Sequence, residues 1–133
     1  MLLDTCFCID LMRERSKGQN GPAIRKMKIF ADAEIFISLF TLCELRSGAE
    51  LSNNPIQELK KVELITSFAE VLYPESSFSV LYGELESFLR KNGMPMPVMD
   101  LLIAVSAKAA GIPIITRDAA HFNRVPGLVV EEY

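Results

Sequence analysis

Met96-Pro97-Val98-Met99-Asp100-Leu101-Leu102-Ile103-Ala104-Val105 places one carboxylate at the mouth of an otherwise apolar helix. Pro95 and Pro97 forbid a helix before Val98, while Leu101, Leu102, Val105 and Ala109 recur at helical spacing, which predicts a helix from Val98 to Ala110 closed by Gly111. Asp100 then lies in the first turn, where unpaired N–H groups and the positive end of the dipole favour a negative side chain. A helix this apolar is covered on most of its surface, so the chain around it must supply a sheet and further helices.

Strands and helices alternate outward from this helix. Upstream, Met1-Leu2-Leu3-Asp4 is a buried strand delivering an acid, and Glu34-Ile35-Phe36-Ile37-Ser38 and Glu70-Val71-Leu72-Tyr73 are two more. Downstream, Ile112-Pro113-Ile114-Ile115-Thr116 ends beside Asp118, and Leu128-Val129-Val130 is the last strand. Between them fall helices Cys6 to Arg15, with Cys8, Leu11 and Met12 inward and Thr5 or Asp4 as cap, and one opened by Pro22, with Ala23, Ile24, Met27 and Phe30 inward. A third opens at Thr41 and ends near Gly48. A fourth runs from Asn54-Pro55 to Phe68, with Ile56, Leu59, Val62, Ile65 and Phe68 as its stripe. A fifth, capped by Ser76 or Ser77 and closed by Asn92-Gly93, turns Phe78, Leu81, Tyr82, Leu85, Phe88 and Leu89 inward, and a short turn of helix spans Ala119 to Asn123. Continuous apolar strands alternating with helices predict a three-layer α/β/α domain over residues 1–133, with a central, mostly parallel sheet of about five strands.

The 133 residues are 50% hydrophobic and 23% charged, enough for a substantial core. No apolar run reaches membrane-span length and no leader is evident, so the expected place is the cytoplasm, away from membranes. Three cysteines read as reduced thiols. Cys6, Cys8, Cys43 and His121 add up to a zinc set only on paper, because Cys6 and Cys8 are two apart on a helix and face apart. The net charge is −3, yet Arg13, Arg15, Lys17, Arg25, Lys26 and Lys28 against Glu14 alone leave that segment at +5 and the remainder at −8. Such a patch suits a polyanion, or is simply a solvated face.

In parallel sheets ligands bind at the carboxyl ends of the strands. Asp4 and Asp118 follow two strands, Asp100 opens a helix, and Glu44 lies one turn into the helix after the second strand. Singly, each has an ordinary reading as cap, dipole partner, turn residue or solvated side chain. Together, four acids on one edge would repel one another unless a cation held them, and oxygen-only donors suit a hard divalent ion.

Leu3-Asp4-Thr5, Thr41-Leu42-Cys43-Glu44-Leu45, Met99-Asp100-Leu101-Leu102-Ile103-Ala104 and Thr116-Arg117-Asp118 with His121-Phe122, in this order and with the tail Arg124-Val125-Pro126-Gly127-Leu128, resemble the PIN-domain family and, within it, the VapC-type toxin ribonucleases. The resemblance implies a metal-dependent endoribonuclease with Asp4, Glu44, Asp100 and Asp118 as acidic site and Mg²⁺ or Mn²⁺ as cofactor. It also implies an RNA substrate, a VapB-type antitoxin and a homodimer. Thr116 is expected to orient a ligand water and Thr5 to support the acids from outside, and Arg13, Arg15, Lys17, Arg25, Arg46 and Arg117 to hold RNA. Two departures stand out: Cys6, where the family often has Asn or Ser, and Met99 beside the third acid, both of which question the hydrogen bonds supporting the ligands.

With one histidine, the chain lacks the pair needed for acid–base cleavage, which favours attack by water. His121 itself reads as a loop residue packed beneath a short helix, and Met94, Met96 and Met99 as gap-fillers. A phosphatase or receiver domain would want an acid two residues after Asp4 and a lysine after the strand at Ile114, and neither is present. A housekeeping PIN nuclease of RNA processing and an inactive PIN-like binding module are the remaining alternatives.

Overall fold

The computed structural model describes residues 1–133. Five strands, β1 (Leu2–Leu3), β2 (Phe36–Ser38), β3 (Glu70–Leu72), β4 (Ile114–Thr116) and β5 (Val130–Glu132), form one sheet in the order β3-β2-β1-β4-β5, and every pairing is parallel. The helices are α1 (Thr5–Ser16), α2 (Pro22–Ile29), α3 (Leu39–Glu50), α4 (Pro55–Thr66), α5 (Phe78–Lys91), α6 (Val98–Ala110) and α7 (Ala119–Phe122).

Period-two alternation splits the core between the two faces of the sheet. Leu2 and Ile114 pack with α5, α6 and α7 through Leu85, Leu89, Leu101, Val105 and Phe122. Their neighbours Leu3 and Ile115 pack on the opposite face with Phe7, Leu11, Ala23, Leu45, Val62 and Ile65 from α1 to α4. All four strand residues are fully buried, which is why these strands read as unbroken apolar runs. Gly111 closes α6 at φ +66°, the left-handed conformation that a C-cap glycine supplies.

Several boundaries differ from the sequence reading, each for a physical reason. β5 lies two residues later than expected, because the turn at Pro126-Gly127 delays pairing until the Val129 carbonyl accepts the Ile114 N–H at 2.9 Å and Val130 comes opposite Ile114. α3 begins at Leu39 rather than Thr41, with Ser38 as cap accepting the Thr41 N–H at 2.9 Å. Asp4, rather than Thr5, caps α1, whereas Ser77 precedes α5 without a side-chain cap. α4 stops at Thr66, and Ile56 and Phe68, expected inward, are 73% and 41% exposed. A strict step of three drifts about 60° per step on a helix, so only the middle of that stripe, Val62 and Ile65, is buried. Phe88 of α5 is likewise exposed, while Leu85 and Leu89 are buried.

The topology marks one place on the sheet. From β1 the chain moves outward through β2 and β3, then returns to the other side of β1 for β4 and β5. The carboxyl ends of β1 and β4 therefore flank the switch point, where crossover connections leave a crevice.

Candidate active site

Asp4 leaves β1 at that switch point and caps α1, its Oδ1 accepting the Thr5 N–H at 2.7 Å. Its Oδ2 accepts the Thr116 hydroxyl at 2.7 Å and the Cys6 thiol at 2.9 Å. Thr116, fully buried at the end of β4, also accepts the backbone N–H of Asp118 at 3.0 Å, so one hydroxyl couples two acids across neighbouring strands. Burial, and then the charge of Asp4, push the Cys6 thiol above its ordinary range. Cys6 therefore stays protonated and donates, supplying the support for Asp4 that the absence of Asn or Ser at this position had called into question. The thiol sulfur also accepts the N–H of Arg117 at 3.4 Å.

Glu44 reaches the same edge from α3, its Oε2 accepting the Thr5 hydroxyl at 2.5 Å. Thr5 and Thr116 thus each donate to an acid. Asp100 enters from the first turn of α6. Burial pushes its carboxyl above the ordinary range, the charge of Asp4 adds to this, and Glu44 and Asp118 contribute further, while His121 opposes them. Four segments remote in sequence therefore bring their acids close enough to feel one another's charge. They share a field rather than a closed cage, since no three metal-binding side chains are drawn together into coordinating positions.

His121 belongs with them, contrary to its reading as a packed loop residue. It lies in α7, with Nδ1 2.7 Å from Asp118 Oδ2 and 3.7 Å from Asp100 Oδ2. The atom is buried, yet it is out of line for a hydrogen bond to either carboxylate. The i, i+3 spacing of Asp118 and His121 was the available signal. The cysteines rule out a zinc set: Cys8 is buried, Cys43 is exposed, and Cys6 is committed to Asp4. Among the methionines only Met96 is buried, in the core beneath the mouth of α6.

The basic residues disperse. Arg25 donates to the carbonyl of Asn20 at 2.7 Å, Lys28 to the side chain of Asn20, and Lys26 to Glu131 and the Glu132 carbonyl. Arg46 sits two residues from Glu44 on α3, about 200° round the helix, and so points away from that acid. Arg15 and Lys17 are exposed near the end of α1, where Lys17, Arg13 and Glu44 line a groove of about 400 Å³ between α1, α3 and α4. Arg13 and Arg117 both meet Asp10, a buried acid that the sequence reading passed over.

Acids from four segments, placed around the switch point of an all-parallel α/β/α sheet, define the class. The model of the PIN domain matches residues 1–128, and the chain belongs to that family. It is 32% identical over 132 residues to ribonuclease VapC1 of Haemophilus influenzae (strain R2866), spanning 99% of this chain and 96% of that one. It is also 32% identical, over 133 residues and with the same coverage, to the tRNA(fMet)-specific endonuclease VapC of Shigella flexneri. Among solved structures, VapBC2 from Rickettsia felis bound to a DNA fragment from its promoter superposes with a TM-score of 0.90 at 26% identity, covering 99% of this chain and 97% of that one.

Proposed function

We propose that this protein is an endoribonuclease of VapC type, the toxin of a toxin–antitoxin pair, hydrolysing RNA phosphodiester bonds with Asp4, Glu44, Asp100 and Asp118 as its acidic site. The observation that carries the proposal is that Asp100 lies within range of the charges of Asp4, Glu44 and Asp118, acids from three other segments of the chain. Near-full-length similarity to proteins named as VapC ribonucleases, and to the toxin of a VapBC complex, supports the toxin reading over a housekeeping nuclease. A VapB-type antitoxin is the corresponding partner, and a homodimer the corresponding assembly. No helix is long and apolar enough to cross a membrane.

The donor set fits Mg²⁺ or Mn²⁺. All four groups are carboxylates, whose hard oxygens suit a cation that keeps several waters and takes only a few protein ligands. A divalent ion held there supplies Lewis acidity, activating water and neutralising charge on the phosphate oxygens. The chain's own residues prepare that chemistry. Thr116 and Cys6 lock the Asp4 carboxylate by donating to Oδ2, and Thr5 fixes Glu44. The bond from the Asp118 N–H to Thr116 places the backbone of the last acid. Hydrogen bonds of this kind around ligands are worth about 10–100-fold in metal affinity or activity.

The test compares RNA cleavage by the wild type in Mg²⁺, in EDTA, and by Asp4→Asn and Asp100→Asn, with growth on induction as a second readout. Cleavage that requires the metal and both acids supports the proposal. Undiminished cleavage in EDTA, or by the variants, ends it.

A further inference from the structure

Asp10 lies on α1, six residues past Asp4, and is only 5% exposed. Arg13 reaches its Oδ1, while Arg117 Nη1 donates to Oδ2 at 2.7 Å and the Tyr133 hydroxyl donates to the same oxygen at 2.9 Å. The Tyr133 ring stands edge-on to the buried Phe7, centroids 4.6 Å apart, which fixes the last residue of the chain against α1. One buried carboxylate needs one counter-charge, and this one has two, so the cluster carries a surplus of +1. The arginine side chains remain 55% and 61% exposed even though each is anchored at one end.

The cluster adjoins the acidic crevice from two directions. Arg117 sits between Thr116 and Asp118, and its N–H bonds the same Cys6 sulfur that supports Asp4. Arg13 lines the groove that Glu44 also lines.

We propose that Arg13 and Arg117, pre-oriented by Asp10, form a phosphate subsite that holds the RNA backbone one phosphate along from the bond at the acids. The inference rests on the ribonuclease reading above and names how the substrate is held. A guanidinium has five donors in a planar fork that matches phosphate oxygens, and each arginine uses only part of its fork on Asp10. Anchoring removes much of the rotamer entropy that a free arginine loses on binding. The subsite also answers an electrostatic need, because four carboxylates repel an incoming polyanion and a cation fixed beside them offsets that repulsion. Arg15 and Lys17, exposed and without such an anchor, then serve as a diffuse basic margin.

The alternative is that both arginines merely neutralise Asp10. The experiment measures binding of a fluorescein-labelled single-stranded RNA oligonucleotide to the full chain in EDTA across a salt series, alongside KM and kcat in Mg²⁺. Arg13→Gln with Arg117→Gln is expected to weaken binding about tenfold or more and to flatten the plot of log K against log salt by about 0.7, the value for one phosphate contact on a single strand. KM should rise while kcat changes little. Because those changes leave Asp10 buried without its partners, the triple variant D10N/R13Q/R117Q provides a network without formal charge that folds, with the same loss of affinity. Arg117→Lys keeps the charge but not the fork and should fall between. Lys91→Gln, on α5, controls for net charge. Wild-type affinity and salt slope in the triple variant would overturn the subsite. A wild type that fails to cleave RNA at all would instead overturn the ribonuclease reading.

Discussion

Helix α1 and the edge of the sheet it springs from treat acids in opposite ways. Asp10 and Glu14 of α1 are buried and fully answered. Asp10 has two guanidiniums and a phenol, and Glu14 takes the N–H groups of Ile24 at 2.9 Å and Ala23 at 3.3 Å, capping α2 from outside. At the crevice, Asp4, Glu44, Asp100 and Asp118 are set against one another, with His121 as the only cationic candidate among them. Charge met by opposite charge is compensated, whereas like charges brought together cost stability and have to be retained for another reason. The contrast separates acids answered by partners from acids set against one another, although all six belong to the same two residue types.

The largest effect that would sharpen the contrast is on activity. Asp4→Asn and Asp100→Asn should each lower RNA cleavage by about a hundredfold or more, at least the loss seen when outer partners of a ligand are removed. Asp100→Asn should do so with the melting temperature of the metal-free protein level or higher, whereas Asp4→Asn also gives up the bonds from Thr116 and Cys6 and should melt lower. A fall in melting temperature for Asp100→Asn would place that acid with Asp10 and Glu14 instead.

Next is the opposite pattern. Glu14→Ala orphans two N–H groups at the start of α2 and should cost about 1–2 kcal/mol in denaturant unfolding, with cleavage unchanged. Gly21 is tied to the same contact, since a Cβ there would run into the Glu14 carboxyl. Gly21→Ala should therefore cost about 1–3 kcal/mol alone and much less in a Glu14→Ala background, a non-additivity that a double-mutant cycle reads directly.

The smallest effect is in pH dependence. Asp100 has a folded-state pKa raised above its unfolded value near 3.8, so the folded state binds the proton more tightly. Its ionisation therefore costs stability that appears as pH rises from the ordinary Asp range through the raised value, and the cost is relieved in acid. In metal-free protein Asp100→Asn should melt slightly higher than wild type at neutral pH, by less than about 1 kcal/mol given its partial exposure, and the gain should vanish below pH ~3.8.

The same contrast decides what could be read from the sequence. Leu2-Leu3 and Ile114-Ile115 announced buried parallel strands because both faces of the sheet are covered, and acids directly after such strands fall at the carboxyl edge by construction. The crevice was therefore legible, with Thr5 and Thr116 beside it. The roles of Asp10 and Glu14 were not. Asp10 meets Arg117 and Tyr133 more than a hundred residues away, and Glu14 caps a helix other than its own, so no local periodicity carried either signal. Asp10 was passed over, and Glu14 entered only as the one negative charge in a basic segment. His121 was discounted because it was judged on its local sequence, while its place is set by α6 and Asp100.

Thermal unfolding of the wild type and of Asp100→Asn in EDTA and in increasing Mg²⁺ or Mn²⁺ tests most directly whether the acids at the switch point are kept together for a cation. The wild type should start lower and rise saturably with metal as the repulsion is relieved, while the variant starts higher and responds little. Equal responses in both proteins, or none in either, would contradict it.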